Sequence, residues 1–107
     1  MEIQVEHSRG KSKIIIDKNK LIGAENESFQ NSVQESIDKG SKSISIDLSK
    51  VEFISSWGIG LLVHAYTTCI NRSVNFNLEG VNEQVMNVLN QLKLTRLFNI
   101  VQKLSDT

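Results

Sequence analysis

The hydrophobic pattern along the chain switches between a period of two residues and a period of nearly four. Every second residue is apolar over 43–48 and again over 74–78, which predicts two strands that each have one apolar face. Phe29, Val33 and Ile37 are spaced four residues apart with polar residues between them, which predicts a helix. The chain therefore belongs to the class of folds that mixes strands with helices.

The predicted element order is β-β-α-β-α-β-α, an α/β arrangement in which helices cover a mixed sheet. A glycine after a periodic segment and an asparagine before one mark helix boundaries, as Gly40 and Asn82 do here. The predicted segments are strands over 3–5, 13–17, 43–48 and 74–78, a turn over 8–12, helices between 27 and 40, from near 56 and after 82, and a short helical turn with a last strand within 94–101.

Composition limits the kinds of protein this can be. The 107 residues fit one domain, which we assign to residues 1–107, and 39% of them are hydrophobic, as in a globular chain. Twelve basic and twelve acidic residues give zero net charge, which argues against a protein that coats nucleic acid or an anionic membrane. We therefore expect no direct nucleic-acid binding and no membrane insertion.

Cysteine usage and the first residues indicate the cellular compartment. Cys69 is the single cysteine, which excludes an intrachain disulfide and a multi-cysteine zinc site. The opening residues lack the basic start and apolar run of a signal peptide. The sequence also shows no metal-spaced cluster, phosphate-binding loop or nucleophile elbow. We therefore expect a cytoplasmic protein that uses no metal and no cofactor.

Residues 53–71 carry no Asp, Glu, Lys or Arg, which raises the question of a membrane helix. Such a helix needs about 20 mostly apolar residues. Here the run opens with Ser55 and Ser56, and its apolar part is interrupted by His64. We therefore interpret the segment as a helix packed within a globular domain.

This helix has two candidate apolar faces. The pattern favours a core face made of Ile59, Leu62, Val63, Tyr66 and Ile70. A second stripe at spacings of four, three and four is formed by Trp57, Leu61, His64 and Thr68. An exposed uncharged stripe with a tryptophan suits a docking surface, and the alternative is that Trp57 packs on a neighbouring helix as core.

The turn that precedes this helix is the first candidate for chemistry. Ser55 and Ser56 follow a predicted strand end, and Gly58 and Gly60 lie in the first turn of the helix. The first backbone N–H groups of a helix lack intrahelical partners and carry partial positive charge. A serine hydroxyl can cap them, and a phosphate group there is stabilised further. Capping and phosphate binding are both open interpretations of the spacing alone.

The same segment resembles the signature of the STAS domain, specifically that of bacterial anti-sigma-factor antagonists. The family turn reads Phe-aliphatic-Asp-Ser-Ser/Thr-Gly-aliphatic-Gly, and the matching residues here are Phe53, Ile54, Ser56, Gly58, Ile59 and Gly60. The preceding 46–49 segment resembles the family's Asp-Leu-Ser strand end, and 85–100 resembles its closing helix and Leu-Phe motif. The resemblance therefore extends over nearly the whole chain.

The resemblance implies a non-enzymatic partner switch. Family members bind an anti-sigma factor that is also a serine kinase; phosphorylation of the serine at the helix start breaks the complex, and a serine phosphatase restores it. By position, the phosphorylated residue is Ser56. The implied partner-binding residues are Ser55, Trp57, Gly58, Gly60, Leu61 and His64.

The sequence departs from the family at three places. Ser55 replaces the family's Asp, Trp57 replaces its second Ser/Thr, and the acidic residue usual after the second strand has only Glu25 and Glu27 as nearby counterparts. These departures favour an alternative in which the chain is a STAS scaffold subunit, never phosphorylated, of a regulatory or transporter complex. A hydrolase using either serine is a third interpretation, but His64 lies about 12 Å along the helix from Ser56, too far for a dyad.

Overall fold

The computed structural model describes residues 3–101, in which the predicted strands and helices occur in the predicted order and two further short strands are present. The elements are β1 (Ile3–Ser8), β2 (Lys11–Ile16), β3 (Lys20–Leu21), α1 (Asn26–Asp38), β4 (Ser43–Asp47), β5 (Phe53–Ile54), α2 (Ser56–Asn71), β6 (Asn75–Glu79), α3 (Glu83–Gln91), α4 (Thr95–Phe98) and β7 (Ile100–Val101).

The main sheet is mixed, as the sequence predicts. Its five strands lie in the order β1-β2-β4-β6-β7; β1 is antiparallel to β2, and all other pairs are parallel. The opening hairpin is longer than predicted, because its turn contains only Arg9 and Gly10, with φ of 47° and 78°. Two successive positive φ values are those of a type I′ turn, whose twist matches that of a hairpin.

Helices cover one face of this sheet and leave the other face open. Alternate residues of the central strands, among them Ile14, Ile46 and Leu78, are fully buried. Their neighbours on the opposite face, such as Lys13 and Asn77, are only partly covered. The sheet is therefore one layer of a two-layer fold, in which every second strand residue contributes to the core.

The chain's last described elements are fixed to the sheet by aromatic contacts. The ring of Phe98 on α4 lies 5.8 Å from that of Phe76 on β6 and 6.0 Å from that of Tyr66 on α2, centroid to centroid. Phe98 is fully buried. Edge and tilted packing of three rings stabilises the fold beyond the effect of the area that they bury, and it holds α4 against α2.

A second, two-stranded sheet was not predicted. Lys20 pairs with Phe53 and Leu21 pairs with Ile54 in parallel register. The Leu21 carbonyl then accepts a hydrogen bond from the Ser55 backbone N–H at 3.1 Å. This small sheet fixes the point at which α2 begins.

Helix α2 is buried along a line that falls between the two predicted faces. Its buried residues are Gly58, Ile59, Leu61, Leu62, Ala65 and Cys69. The expectation of an exposed Leu61 was wrong, since it is 2% exposed, and so was the expectation of a buried Ile70, which is 50% exposed. The reason is that α2 packs on α1 as well as on the sheet; Gln30 of α1 donates to the Leu61 carbonyl at 3.1 Å.

Within residues 3–101, no helix is both long enough and apolar enough to cross a membrane.

Candidate functional site

The two serines at the start of α2 occupy different environments. Ser55 is the N-cap: its backbone is extended, and its hydroxyl oxygen accepts the Gly58 N–H at 3.2 Å. Ser55 is half-buried, whereas Ser56, the first residue of the helix, is exposed. The Ser55 hydroxyl is therefore committed to the helix end, and the Ser56 hydroxyl is accessible to a modifying enzyme.

Gly58 and Gly60 each lack a side chain for a different physical reason. A Cβ on Gly58 would lie 2.2 Å from the Leu21 carbonyl oxygen and 2.9 Å from a carbon of Ile54. Gly58 therefore permits the close approach of α2 to the two-stranded sheet. A Cβ on Gly60 would meet no atom of residues 3–101 within 4 Å. The lack of a side chain at Gly60 keeps surface open and does not relieve any crowding.

An apolar groove of about 520 Å³ borders Ser56 on one side. It lies between the β5–α2 junction and α3, and its apolar lining residues are Phe53, Ile54, Ile59, Val88 and Leu92. Phe53 is 48% exposed and Leu92 is 53% exposed, which leaves a contiguous apolar surface beside the serine. Exposed apolar surface of this kind marks interaction sites on globular proteins.

A second groove, of about 460 Å³, borders Ser56 on the other side. Besides Ser56, its lining consists of Gly23, Asn26, Trp57, Gly60, Leu61 and His64. Trp57 is 79% exposed, which excludes the alternative that it packs as core. Leu61 contributes to this groove from its buried position, and His64 lies on its exposed side.

All seven of the predicted site residues lie in the first half of α2 or at its N-cap. Six of them line one or both grooves, and the seventh, Gly58, lies buried beneath them. Of the predicted residues, Ser55 and Ser56 line the apolar groove. Ser56 also lines the second groove, which Ser55 does not. An added phosphate at Ser56 would therefore change the charge of both grooves at once.

The two candidate carboxylates are placed differently from each other. Glu25 is buried and forms an ion pair with Lys18, whereas Glu27 is exposed in the first turn of α1. Burial alone would raise the pKa of Glu25, but hydrogen bonds from Lys18 and from backbone N–H groups outweigh it and lower the pKa. The Glu25 carboxylate is therefore a structural anion that anchors the β3–α1 loop.

Two further polar or reactive residues have structural roles. Asp47 accepts the Ser49 backbone N–H at 2.8 Å and so terminates β4. Cys69 is fully buried in α2, and burial raises the pKa of its thiol to about 11. Neither residue takes part in the site at Ser56.

The family model of the STAS domain matches residues 2–107 of this chain. The chain belongs to the STAS domain family. Its resemblance to solved structures agrees: a putative anti-sigma-factor antagonist from Thermotoga maritima is 26% identical with a TM-score of 0.78, over 97% of this chain and 89% of that chain. No curated protein sequence gives a significant match.

Two other solved structures show how widely this fold is used. Phosphorylated SpoIIAA, a Bacillus cell fate determinant, is 16% identical with a TM-score of 0.73, over 97% of this chain and 93% of that chain. The murine Slc26a9 anion transporter is 18% identical with a TM-score of 0.75, over 94% of this chain and 17% of that chain. At these identities the likeness shows the shared fold alone.

Sequence reasoning missed half of the surface around Ser56 in this STAS domain. Phe53, Val88 and Leu92 line the apolar groove, although they come from segments about 35 residues apart. Leu92, the C-cap of α3, continues the apolar face of that helix but is exposed. The sequence alone does not show which apolar residue of such a face stays uncovered. Only the packing of α3 against β5 reveals that these side chains meet.

Proposed function

We propose that this STAS domain is an anti-sigma-factor antagonist that acts by partner switching, with Ser56 as the residue that accepts phosphate. The observation that carries the proposal is the division of labour between the two serines. Ser55 caps α2 with its hydroxyl, and Ser56 is exposed between the two grooves. One hydroxyl therefore maintains the fold while the other is available for modification.

The unmodified protein binds its partner through the two grooves. Trp57, 79% exposed beside Ser56, is the aromatic anchor, and the apolar groove accepts an apolar side chain of the partner. Exposed tryptophans are enriched among residues whose truncation weakens an interface most. The partner is an anti-sigma factor that is also a serine kinase, which places Ser56 within its reach.

Phosphorylation reverses the binding by electrostatics. The kinase transfers the γ-phosphoryl group of ATP to the Ser56 oxygen, a base of the kinase takes the hydroxyl proton, and ADP leaves. The phosphoserine carries about −1.5 to −2 charges and is stabilised by the N-terminus of α2. Within a closed interface that charge loses its water, and a few kcal/mol are enough to dissociate the complex.

The proposal assigns the chemistry to other proteins and none to this chain. A serine phosphatase hydrolyses the phosphoserine and so restores binding. The switch operates in the cytoplasm through protein partners, without direct contact to nucleic acid and without membrane insertion. His64 lines the same groove as Ser56 but lies about 12 Å along the helix, which supports a binding role over a hydrolytic dyad.

Incubation with kinase and ATP tests the proposal. The protein is incubated with Mg-ATP and each anti-sigma-factor kinase encoded in the same genome, and its intact mass is measured. We expect one added phosphate in the wild type and in Ser55→Ala, and none in Ser56→Ala. Ser55→Ala is the matched control because it removes the neighbouring hydroxyl. Phosphate on Ser55, or no phosphate with any of these kinases, would contradict the proposal.

The residues at positions 55 and 57 favour a second candidate function, that of a STAS scaffold subunit which is not phosphorylated. Ser55 and Trp57 stand where the antagonists carry Asp and Ser/Thr, and the same fold occurs within the murine Slc26a9 anion transporter. In that case the grooves bind a permanent partner. The kinase experiment separates the two candidates: stable capture of a partner protein together with an unmodified Ser56 supports the scaffold.

A further inference from the structure

A cationic cavity lies at the end of the sheet remote from Ser56. It has a volume of about 430 Å³ and forms where the tip of the β1–β2 hairpin meets the loop after α1. The parallel strands β2 and β4 begin here, whereas α2 follows their carboxyl ends. The cavity is therefore separate from both grooves at Ser56.

Among residues 3–101, three formal cations line this cavity and no carboxylate does. They are Arg9 and Lys11 of the hairpin and Lys39, the C-cap of α1. Of the acidic residues adjacent in sequence, Glu6 lies opposite Lys13 in the strand register on the open face of the sheet, and Asp38 accepts a hydrogen bond from Gln34. In a chain of zero net charge, this is a local excess of positive charge.

A hydrogen-bonded chain of three side chains leads into the cavity. His7 Nδ1 lies 2.8 Å from the Ser12 hydroxyl, which lies 2.5 Å from the Ser41 hydroxyl. Ser12 and Ser41 are 3% and 8% exposed. If His7 donates to Ser12, then Ser12 donates to Ser41, and the Ser41 proton is left to donate into the cavity. In the His7 tautomer that carries its proton on Nδ1, the cavity thus contains a buried, oriented donor in addition to its surface cations.

The backbone holds these groups together. The Lys42 N–H donates to the Gly10 carbonyl at 2.7 Å, which joins the hairpin tip to the loop after α1. The Ser41 N–H donates to the Ser36 carbonyl at 3.1 Å, which closes the end of α1. The two walls of the cavity are therefore fixed relative to each other before any ligand binds.

We infer that this cavity binds a phosphate group, either as inorganic phosphate or as the phosphate of a small phosphomonoester. Three cations match a dianion, and a hydroxyl donor from Ser41 matches one of its oxygens. The cavity volume is several times that of a phosphate, which leaves room for a small esterified group. This ligand site is independent of Ser56 and of its modification.

NMR titration of the backbone amides tests this inference. Inorganic phosphate, and separately glycerol 3-phosphate, is added to the wild type at an ionic strength held constant with NaCl, because salt screens surface charge. We expect saturable shifts confined to residues 7–12 and 39–42. Tighter binding of the ester than of inorganic phosphate would identify a phosphomonoester as the ligand, and equal or weaker binding would identify phosphate itself.

Two variants and one control keep the test specific. Arg9→Asn removes one charge and supplies a residue that type I′ turns favour, so the hairpin is retained. Lys93→Asn is the matched control, because Lys93 is also a cation at positive φ but does not line the cavity. We expect about two- to fivefold weaker phosphate binding in Arg9→Asn and no change in Lys93→Asn.

Ser41→Ala separates a built site from diffuse attraction by surface cations. Loss of the Ser41 donor is expected to weaken phosphate binding about two- to tenfold. Unchanged affinity in Ser41→Ala, equal losses in both charge variants, or shifts that never saturate would mean an adventitious ion only and would overturn the inference. None of these outcomes bears on Ser56, so the two proposals fail separately.

Discussion

Gly58 and Gly60 lie near the start of α2, and the structure predicts opposite effects of the same substitution at the two positions. Gly60→Ala places a methyl group in open space, so the helix gains the propensity difference of about 0.5 to 1 kcal/mol. For a domain of this size that gain raises Tm by about 2 to 4 °C. Gly58→Ala places the methyl group 2.2 Å from a backbone oxygen, and we expect a net loss of about 2 kcal/mol or more.

The assay is urea unfolding followed by far-ultraviolet circular dichroism. Tryptophan fluorescence is the weaker probe, because Trp57 is already 79% exposed in the folded state and changes little on unfolding. Both variants are compared with the wild type at the same protein concentration. Partner binding is then measured for Gly60→Ala, since its methyl group enters the groove beside Trp57. We expect a variant that is more stable than the wild type and binds the partner less tightly.

Three results with the two glycine variants would contradict this reasoning. If Gly58→Ala is as stable as the wild type, then α2 does not approach the Leu21 carbonyl closely enough to exclude a methyl group. If Gly60→Ala loses stability, the space above Gly60 is filled. If Gly60→Ala binds the partner as tightly as the wild type, the second groove is not part of the docking surface.

Three further predictions concern single side chains. Ser55→Ala should lower the free energy of unfolding by about 1 kcal/mol through loss of the helix cap, whereas Ser56→Ala should change it by less than about 0.5 kcal/mol. Because the pKa of Glu25 is lowered from its ordinary 4.5, the carboxylate stabilises the fold above that pH, and this contribution is lost as the pH falls through the lowered pKa. The stability difference between wild type and Glu25→Gln should therefore shrink between pH 6 and pH 3 in urea titrations at each pH. Cys69, with its pKa raised to about 11, should resist alkylation by iodoacetamide at pH 8 until the protein unfolds, as followed by mass spectrometry.

Each of these has a clear contrary result. Equal losses in Ser55→Ala and Ser56→Ala would mean that the cap is misassigned. Parallel pH curves for wild type and Glu25→Gln would mean that the carboxylate is not held as an anion by Lys18. Rapid alkylation of Cys69 in the folded protein would mean that α2 opens readily.

Most of the sheet and the helix boundaries were predictable from the sequence, because their signals are local. Strict alternation placed β4 and β6 to within one residue. Asn82 caps α3 as predicted, its side chain accepting the Val85 N–H at 2.8 Å. Gly40 follows the end of α1 at a φ of 92°. Caps and alternation depend on neighbouring residues alone, so the rest of the fold does not override them.

The features of the fold that the sequence did not predict depend on contacts between distant segments. The strands β3 and β5 have two residues each, too few to show a period. The orientation of α2 was mispredicted because nearly every residue of this helix is apolar or small, so no single face stands out. Contact with both α1 and the sheet then decided that Leu61 is buried and Ile70 is exposed.

The most direct measurement compares partner affinity with and without phosphate at Ser56. Phosphoserine is incorporated during synthesis at position 56, or at the exposed Ser73 just beyond the other end of α2 as the matched control. Binding to the anti-sigma-factor kinase is measured by calorimetry. We predict at least about 100-fold weaker binding for phosphate at position 56 and little change for phosphate at position 73. Equal affinity of the unmodified and Ser56-phosphorylated proteins would contradict the account.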